Sequence, residues 1–234
     1  MTVPSPLTGR TFVTGFVTDQ DVRRRLAPGT WLRLGFPAGL VTAHAGCNAM
    51  SAGVRVGPDR LEVGPIASTL MGCEPVREEQ DRLVADLLAA GPQWQLDTAG
   101  LTLHTDDLRF ELVEEPTQLW GHRFVAVAVN ETGIVPAPVV AGTDIVLTFT
   151  APDGLTGHAG CNALIAQVDV TEDRLMVGDR VGSTRVGCPA ELHRQDEWLI
   201  AFLQDDPAFT LDEGVLTLRR ASTEIVLVPM SARD

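Results

Sequence analysis

The 234-residue chain contains no lysine, so all 18 basic residues are arginine, set against 31 acidic ones for a formal net charge of −13 at pH 7. Affinity for a phosphate backbone comes mainly from clustered cations that release counterions, and this balance argues against a nucleic-acid partner. The one tight basic cluster, Arg23-Arg24-Arg25, lies between Asp19, Asp21 and a Pro-Gly pair and reads as a solvated loop. No apolar run approaches the roughly 18 residues of a membrane-spanning helix. Residues Met1 to Pro6 carry neither the basic start nor the apolar stretch of a secretory signal. The expectation is therefore a cytoplasmic location and no membrane partner. A Gly-x-Ser-x-Gly elbow, a phosphate-binding loop and a His-Glu-x-x-His helix are also missing, which removes the usual hydrolase, nucleotide and metalloprotease signatures. Cysteine is scarce, with four in all. Paired cysteines suggest disulfides, whereas a reducing cytosol keeps thiols free, so their state stays open.

What the chain does have is a repeat. His44-Ala45-Gly46-Cys47-Asn48-Ala49 returns as His158-Ala159-Gly160-Cys161-Asn162-Ala163, an offset of 114. Leu61 and Val63 map to Leu175 and Val177 at the same offset, and Cys73 maps to Cys188 at 115, so one residue is inserted near Val181. An apolar fraction of 44% with 21% charged residues is ordinary for folded chains. Two domains follow, residues 1–115 and 119–234, joined by a polar, proline-containing linker at about 114–118. Each is long enough to bury a core.

Both copies alternate apolar and polar residues with a period of two. Thr11 to Val17 and Phe124 to Val129 read as opening strands, Trp31 to Phe36 and Asp144 to Phe149 as second strands, with Ala27-Pro28-Gly29 and Pro136-Ala137-Pro138 as the loops between. Hairpins are expected from Val54-Arg55-Val56 to Leu61-Glu62-Val63 and from Val168-Asp169-Val170 to Leu175-Met176-Val177. Later hairpins join Trp94-Gln95-Leu96 to Leu101-Thr102-Leu103 and Phe209-Thr210-Leu211 to Leu216-Thr217-Leu218, before last strands at Leu108 to Val113 and Glu224 to Val228. One helix interrupts each copy. Pro75, Glu78 and Glu79 mark the first helix's start, Leu83, Val84, Leu87 and Leu88 its apolar face and Gly91 its end, and Trp198, Leu199, Phe202 and Leu203 repeat that face. About eight antiparallel strands and one helix per copy imply a mainly β fold, two small barrel-like or strongly curled sheets each closed by a helix.

The ordered set of Gly-Cys-Asn, a Leu-x-Val strand, Ser68-Thr69 to Cys73 and Ser183-Thr184 to Cys188, then a helix and a Leu-Thr-Leu hairpin resembles the META domain. That family includes bacterial heat-shock lipoproteins of the HslJ type. The resemblance covers nearly all of both copies and implies a tandem, stress-associated bacterial protein; it departs from that type in lacking a lipoprotein signal.

The cysteines occupy corresponding points in each copy, the motif and the residue just ahead of the helix, which places Cys47 beside Cys73 and Cys161 beside Cys188. A structural disulfide or two packed thiols fits that pairing. A thiol at a helix N-terminus also has its thiolate favoured, which makes Cys73 and Cys188 candidates for reactivity. His44 with Cys47 and Cys73, and His158 with Cys161 and Cys188, offer zinc-type ligands. However, a His and a Cys three apart on a regular strand face opposite ways, so sharing an ion would need a bulge or turn at Gly46 or Gly160. The expectation is no metal and no cofactor, with the histidines hydrogen-bonding at a strand end. Asn48 and Asn162 read as turn formers bonding their own backbone, with ligand binding as the alternative. The leading function is a non-enzymatic interaction or small-ligand module whose partner is an unidentified protein or small molecule. The rival is a thiol-redox or metal-dependent protein using the Cys and His positions, and a third reading is a carrier holding an apolar ligand inside a barrel.

Overall fold

The computed structural model describes residues 5–132, 139–179 and 181–231, so the Pro136-Ala137-Pro138 loop lies outside the described residues. The chain divides into two compact units, Met1–Glu115 with Met230–Asp234, and Pro116–Pro229. Among the described residues no helix is long and apolar enough to cross a membrane.

The first unit runs β1 (Thr11–Thr14), β2 (Phe16–Asp19), β3 (Val22–Arg25), β4 (Leu32–Gly35), β5 (Leu40–His44), β6 (Ala49–Val56), β7 (Leu61–Val63), β8 (Ala67–Ser68), α1 (Pro75–Ala89), β9 (Gln93–Asp97), β10 (Gly100–His104) and β11 (Leu108–Glu114). The second runs β12 (Arg123–Glu131), β13 (Val146–Thr150), β14 (Gly154–His158), β15 (Ala163–Gln167), β16 (Asp169–Val170), β17 (Leu175–Met176), β18 (Val181–Ser183), α2 (Ala190–Gln204), β19 (Ala208–Asp212), β20 (Val215–Arg220) and β21 (Thr223–Pro229). The order β11-β1-β4-β5-β6 in the first sheet is matched by β21-β12-β13-β14-β15 in the second. Outside these, β10 and then β9 extend from β11 as β20 and then β19 extend from β21, and β8 lies on β6 as β18 lies on β15. The two units therefore share one strand order. Among the described residues, eleven and ten strands exceed the expected eight, partly because the opening strand of the first unit breaks at Gly15 into β1 and β2. No sheet closes into a barrel among the described residues. An isolated bridge from Arg60 to Gln93, and one from Arg174 to Ala208, link the hairpin side of each unit to β9 and β19.

Arg23-Arg24-Arg25 is a correction, being an edge strand where a loop was expected. Gln20 and Asp21 both take positive φ, 47° and 62°, which makes a two-residue turn that returns the chain against β2. The Arg23 and Arg25 guanidinium groups then lie 4.0 and 5.2 Å from the Phe16 ring centroid, and Arg24 pairs with Asp19. Without glycine in that turn, its hairpin signal is weak.

Each unit has its own core. Phe12, Phe36 and Phe110 pack with Val84, Leu87 and Leu88 of α1, and Phe124 and Phe149 with Leu199, Phe202 and Leu203 of α2. Edge-to-face pairs, Phe12 with Phe36 at 6.1 Å and Phe124 with Phe149 at 6.0 Å, suit the ring quadrupoles. Leu83 and Trp198 are only half-buried at the rims of these faces. Pro75 begins α1 and Gly91, at φ 61°, lets the chain leave it, as the sequence requires. Leu87→Ala or Phe202→Ala should lower stability by about 2–5 kcal/mol; an unchanged denaturation midpoint in urea would show the face to be misassigned.

Candidate functional site at the repeated Gly-Cys-Asn turn

Residues 45–48 turn the chain from β5 into β6, and residues 159–162 turn it from β14 into β15. Gly46 and Gly160 sit at φ 109° and 106°, and an added Cβ would stand 2.5 Å from Thr30 Cγ2 and 2.9 Å from Thr143 Cγ2. Conformation and space thus both demand glycine. The turn leaves backbone groups without ladder partners, and buried donors need acceptors.

The helix supplies them. Asp81, on the second turn of α1, accepts at Oδ2 from the Asn48 backbone N–H at 2.7 Å and from its side-chain amide at 3.0 Å. Asp196 does the same for Asn162 at 2.8 and 2.9 Å. The far end of each amide is used as well. Asn48 Oδ1 accepts from the Thr69 hydroxyl at 3.0 Å and the Met71 N–H at 2.8 Å, and Asn162 Oδ1 from Thr184 at 2.9 Å and the Val186 N–H at 2.8 Å. Beside them, Gln80 donates to Thr30 Oγ1 at 2.9 Å and to the Ala45 carbonyl, and accepts from the Ala27 N–H at 2.6 Å. Gln195 repeats this with Thr143 at 2.8 Å, the Ala159 carbonyl and the Val140 N–H. Asn48 and Asn162 are thus not the self-bonded turn formers expected; they bridge three segments of chain.

The cysteines meet as the repeat predicts. Cys47–Cys73 and Cys161–Cys188 are disulfides with Cα atoms 6.1 and 6.2 Å apart, and no cysteine is free. Closing loops of 26 and 27 residues stabilises each unit by about 3.5 kcal/mol on the chain-entropy estimate. Just after each bridge the helix caps the chain: the Cys73 N–H donates to Glu78 Oε1 at 3.3 Å and the Cys188 N–H to His193 Nε2 at 3.2 Å.

His44 and His158 end β5 and β14, and His44 Nδ1 accepts from the Gly46 N–H at 3.4 Å, the strand-end role expected. Neither joins a ligand set among the described residues. Among the described residues the one group of His, Cys and acidic atoms close enough to share an ion is Cys161, His193 and Asp196, within 4.8 Å of one another. Sequence reasoning passed over Gln80-Asp81 and Gln195-Asp196, which hold both turns. A signal existed. The Gln-Asp pair recurs at an offset of 115, and it stands one turn ahead of Val84 and Leu199 on the buried face, where unpaired polar residues have no place.

The META domain sequence model matches residues 6–117 and again 117–232. This chain belongs to the META domain family, in two copies. A protein solved by NMR is 21% identical over 46% of this chain and 87% of its own, with a TM-score of 0.37. Another, from Burkholderia xenovorans, is 16% identical over 50% of this chain and 94% of its own, at 0.41. The β subunit of DNA polymerase III from Thermotoga maritima covers 95% of this chain and 56% of its own at 10% identity and a TM-score of 0.17. No curated protein matches.

Two outcomes follow for the META domains. Asp196→Ala strands both Asn162 donors and should cost about 3 kcal/mol, the upper range for bonds to a charged group. Asn162→Ala added to it should cost more, because the Thr184 hydroxyl and the Val186 N–H then lose their acceptor, but the double variant should lose less than the sum of the two single ones; strictly additive losses in a urea double-mutant cycle would contradict the bridge. His122, half-buried and 6.3 Å from the Phe124 ring, has its pKa pushed down by burial. The unfolded chain therefore takes up this proton first as pH falls. The stability that neutral His122 contributes is complete above the unfolded value of about 6.5 and is lost as pH drops through the folded one. His122→Gln should flatten the pH dependence of the denaturation midpoint between about pH 7 and 5, and an unchanged slope would remove His122 as its source.

Proposed function

We propose that this tandem META protein is a non-enzymatic binding module, stress-associated by family resemblance, that takes a small polar ligand or a partner's side chain in a groove of its first unit. The observation that supports this is how the polar groups divide. Asn48, Gln80, Thr30, the Thr69 hydroxyl and Oδ2 of Asp81 hydrogen-bond within the fold, whereas His44 lines an open groove of about 520 Å³ with Thr42, Ser51 and Ser68 over an apolar floor that includes Met50. That volume is in the range that accepts small molecules, and mixed apolar and hydroxyl lining is what such sites use. The barrel-carrier reading has less behind it, since neither sheet closes around an interior space among the described residues. With the cysteines joined in pairs, the thiol-based rival gains no support over binding.

The test is a fragment screen by NMR on the full chain. Fragments of the right class should shift the His44 and Ser68 resonances together. Ala67→Trp, placed on an exposed groove residue, should abolish those shifts without changing the denaturation midpoint. Fragments that bind the variant as well as the parent would place the site elsewhere.

A further inference from the structure

The second unit differs from the first at one point beside its disulfide. Where Glu78 accepts the Cys73 N–H in the first unit, His193 accepts the Cys188 N–H in the second. His193 and Asp196 stand three apart on α2 and so share a face. Asp196 is 6% exposed, and its Oδ1 is buried without a hydrogen-bond partner, although Oδ2 holds Asn162; Asp81 Oδ1 in the first unit is orphaned in the same way, so what sets the second unit apart is a histidine within reach of that oxygen and of the disulfide. A carboxylate oxygen in that position is costly, and such an orphan calls for an explanation. Cys161 Sγ, a His193 ring nitrogen and an Asp196 oxygen already lie within 4.8 Å of one another, and Cys188 Sγ is bonded to the first of these.

We propose that the dithiol form of the second unit binds a soft divalent cation of the zinc class through Cys161, Cys188, His193 and Asp196. Reduction by two thiols, or by a phosphine with one water, breaks the S–S bond with two electrons and two protons to give two thiols; the reductant thiols supply both protons and become a disulfide, or water supplies the protons and its oxygen as the phosphine becomes a phosphine oxide. On binding, both thiols release their protons to solvent and their sulfurs coordinate, at about 2.3 Å from zinc. His193 exchanges the Cys188 N–H for the metal, and Asp196 Oδ1 gains the partner it lacks. Two sulfurs, one nitrogen and one oxygen complete a tetrahedral set of the kind zinc takes in closed sites. Opening the disulfide costs the chain its cross-link, and the metal restores one between the same two segments. This inference does not rest on the groove of the first unit, and either can fail alone.

The experiment titrates Zn2+ alone, against a chromophoric chelator, into the full chain in its disulfide form and after anaerobic phosphine reduction, with Co2+ replacing Zn2+ for spectroscopy. Expected is tight binding by the reduced chain only, with a thiolate-to-Co2+ charge-transfer band. Cys47→Ser with Cys73→Ser should leave it intact. His193→Glu, which installs the side chain that the first unit carries at the same place, should keep the fold and weaken binding at least about tenfold, the lower end of what losing even a supporting contact does at metal sites. Equal Zn2+ uptake by the disulfide and reduced forms, or undiminished affinity in folded His193→Glu, overturns the proposal.

Discussion

A tight turn that points two N–H donors inward needs an acceptor already in place, and in each META domain a single carboxylate oxygen on the helix provides it. Asp81 and Asp196 reach from the second helical turn to the Gly-Cys-Asn corner and take both donors of one asparagine. Much of the geometry depends on that contact. It sets how the helix lies across its sheet, and it orients the asparagine so that its carbonyl can hold the segment running toward the helix. It also brings the two cysteines of each unit to bonding distance. The glutamine beside each aspartate ties the loop ahead of the second strand to the same corner, so three stretches far apart in sequence meet on one helical turn.

The copies then diverge around a shared frame. The first adds the β2–β3 hairpin, whose arginines cover an aromatic ring and place charge on a sheet edge, a position where an unpaired strand otherwise invites another chain. The second runs one long β12 against β21 with a register shift between Ala126 and Ala128. At the helix start, Glu78 and His193 do the same capping work with different chemistry, one through a carboxylate oxygen and one through a ring nitrogen.

How much of this was legible follows from where the information lies. The repeat announced two units, alternation located the hairpins from Val54 to Val63 and from Trp94 to Leu103, and matched spacing foretold both cysteine pairs. Those features are periodic or duplicated, so the residues themselves carry them. The Asn48–Asp81 bridge joins positions 33 apart across a helix and a turn, and no local period encodes such a contact. Asparagine's preference for bonding nearby backbone pointed to the wrong partner. The Gln20-Asp21 turn was hidden for a related reason, since both residues take a conformation that glycine usually signals. Strand number was underread because Gly15 interrupts an otherwise continuous apolar pattern.

One consequence concerns the segment that the asparagine and the disulfide hold between them. It is fixed at Thr69, at the Met71 N–H and at Cys73, yet Leu70 is 99% exposed and Met71 60% exposed. Apolar side chains on a slack loop can collapse onto the nearest surface, and the disorder of such a loop must be given up before anything can grip it. Here the backbone has surrendered that freedom during folding. Whatever meets Leu70 finds it already presented, with little ordering entropy left to lose on contact.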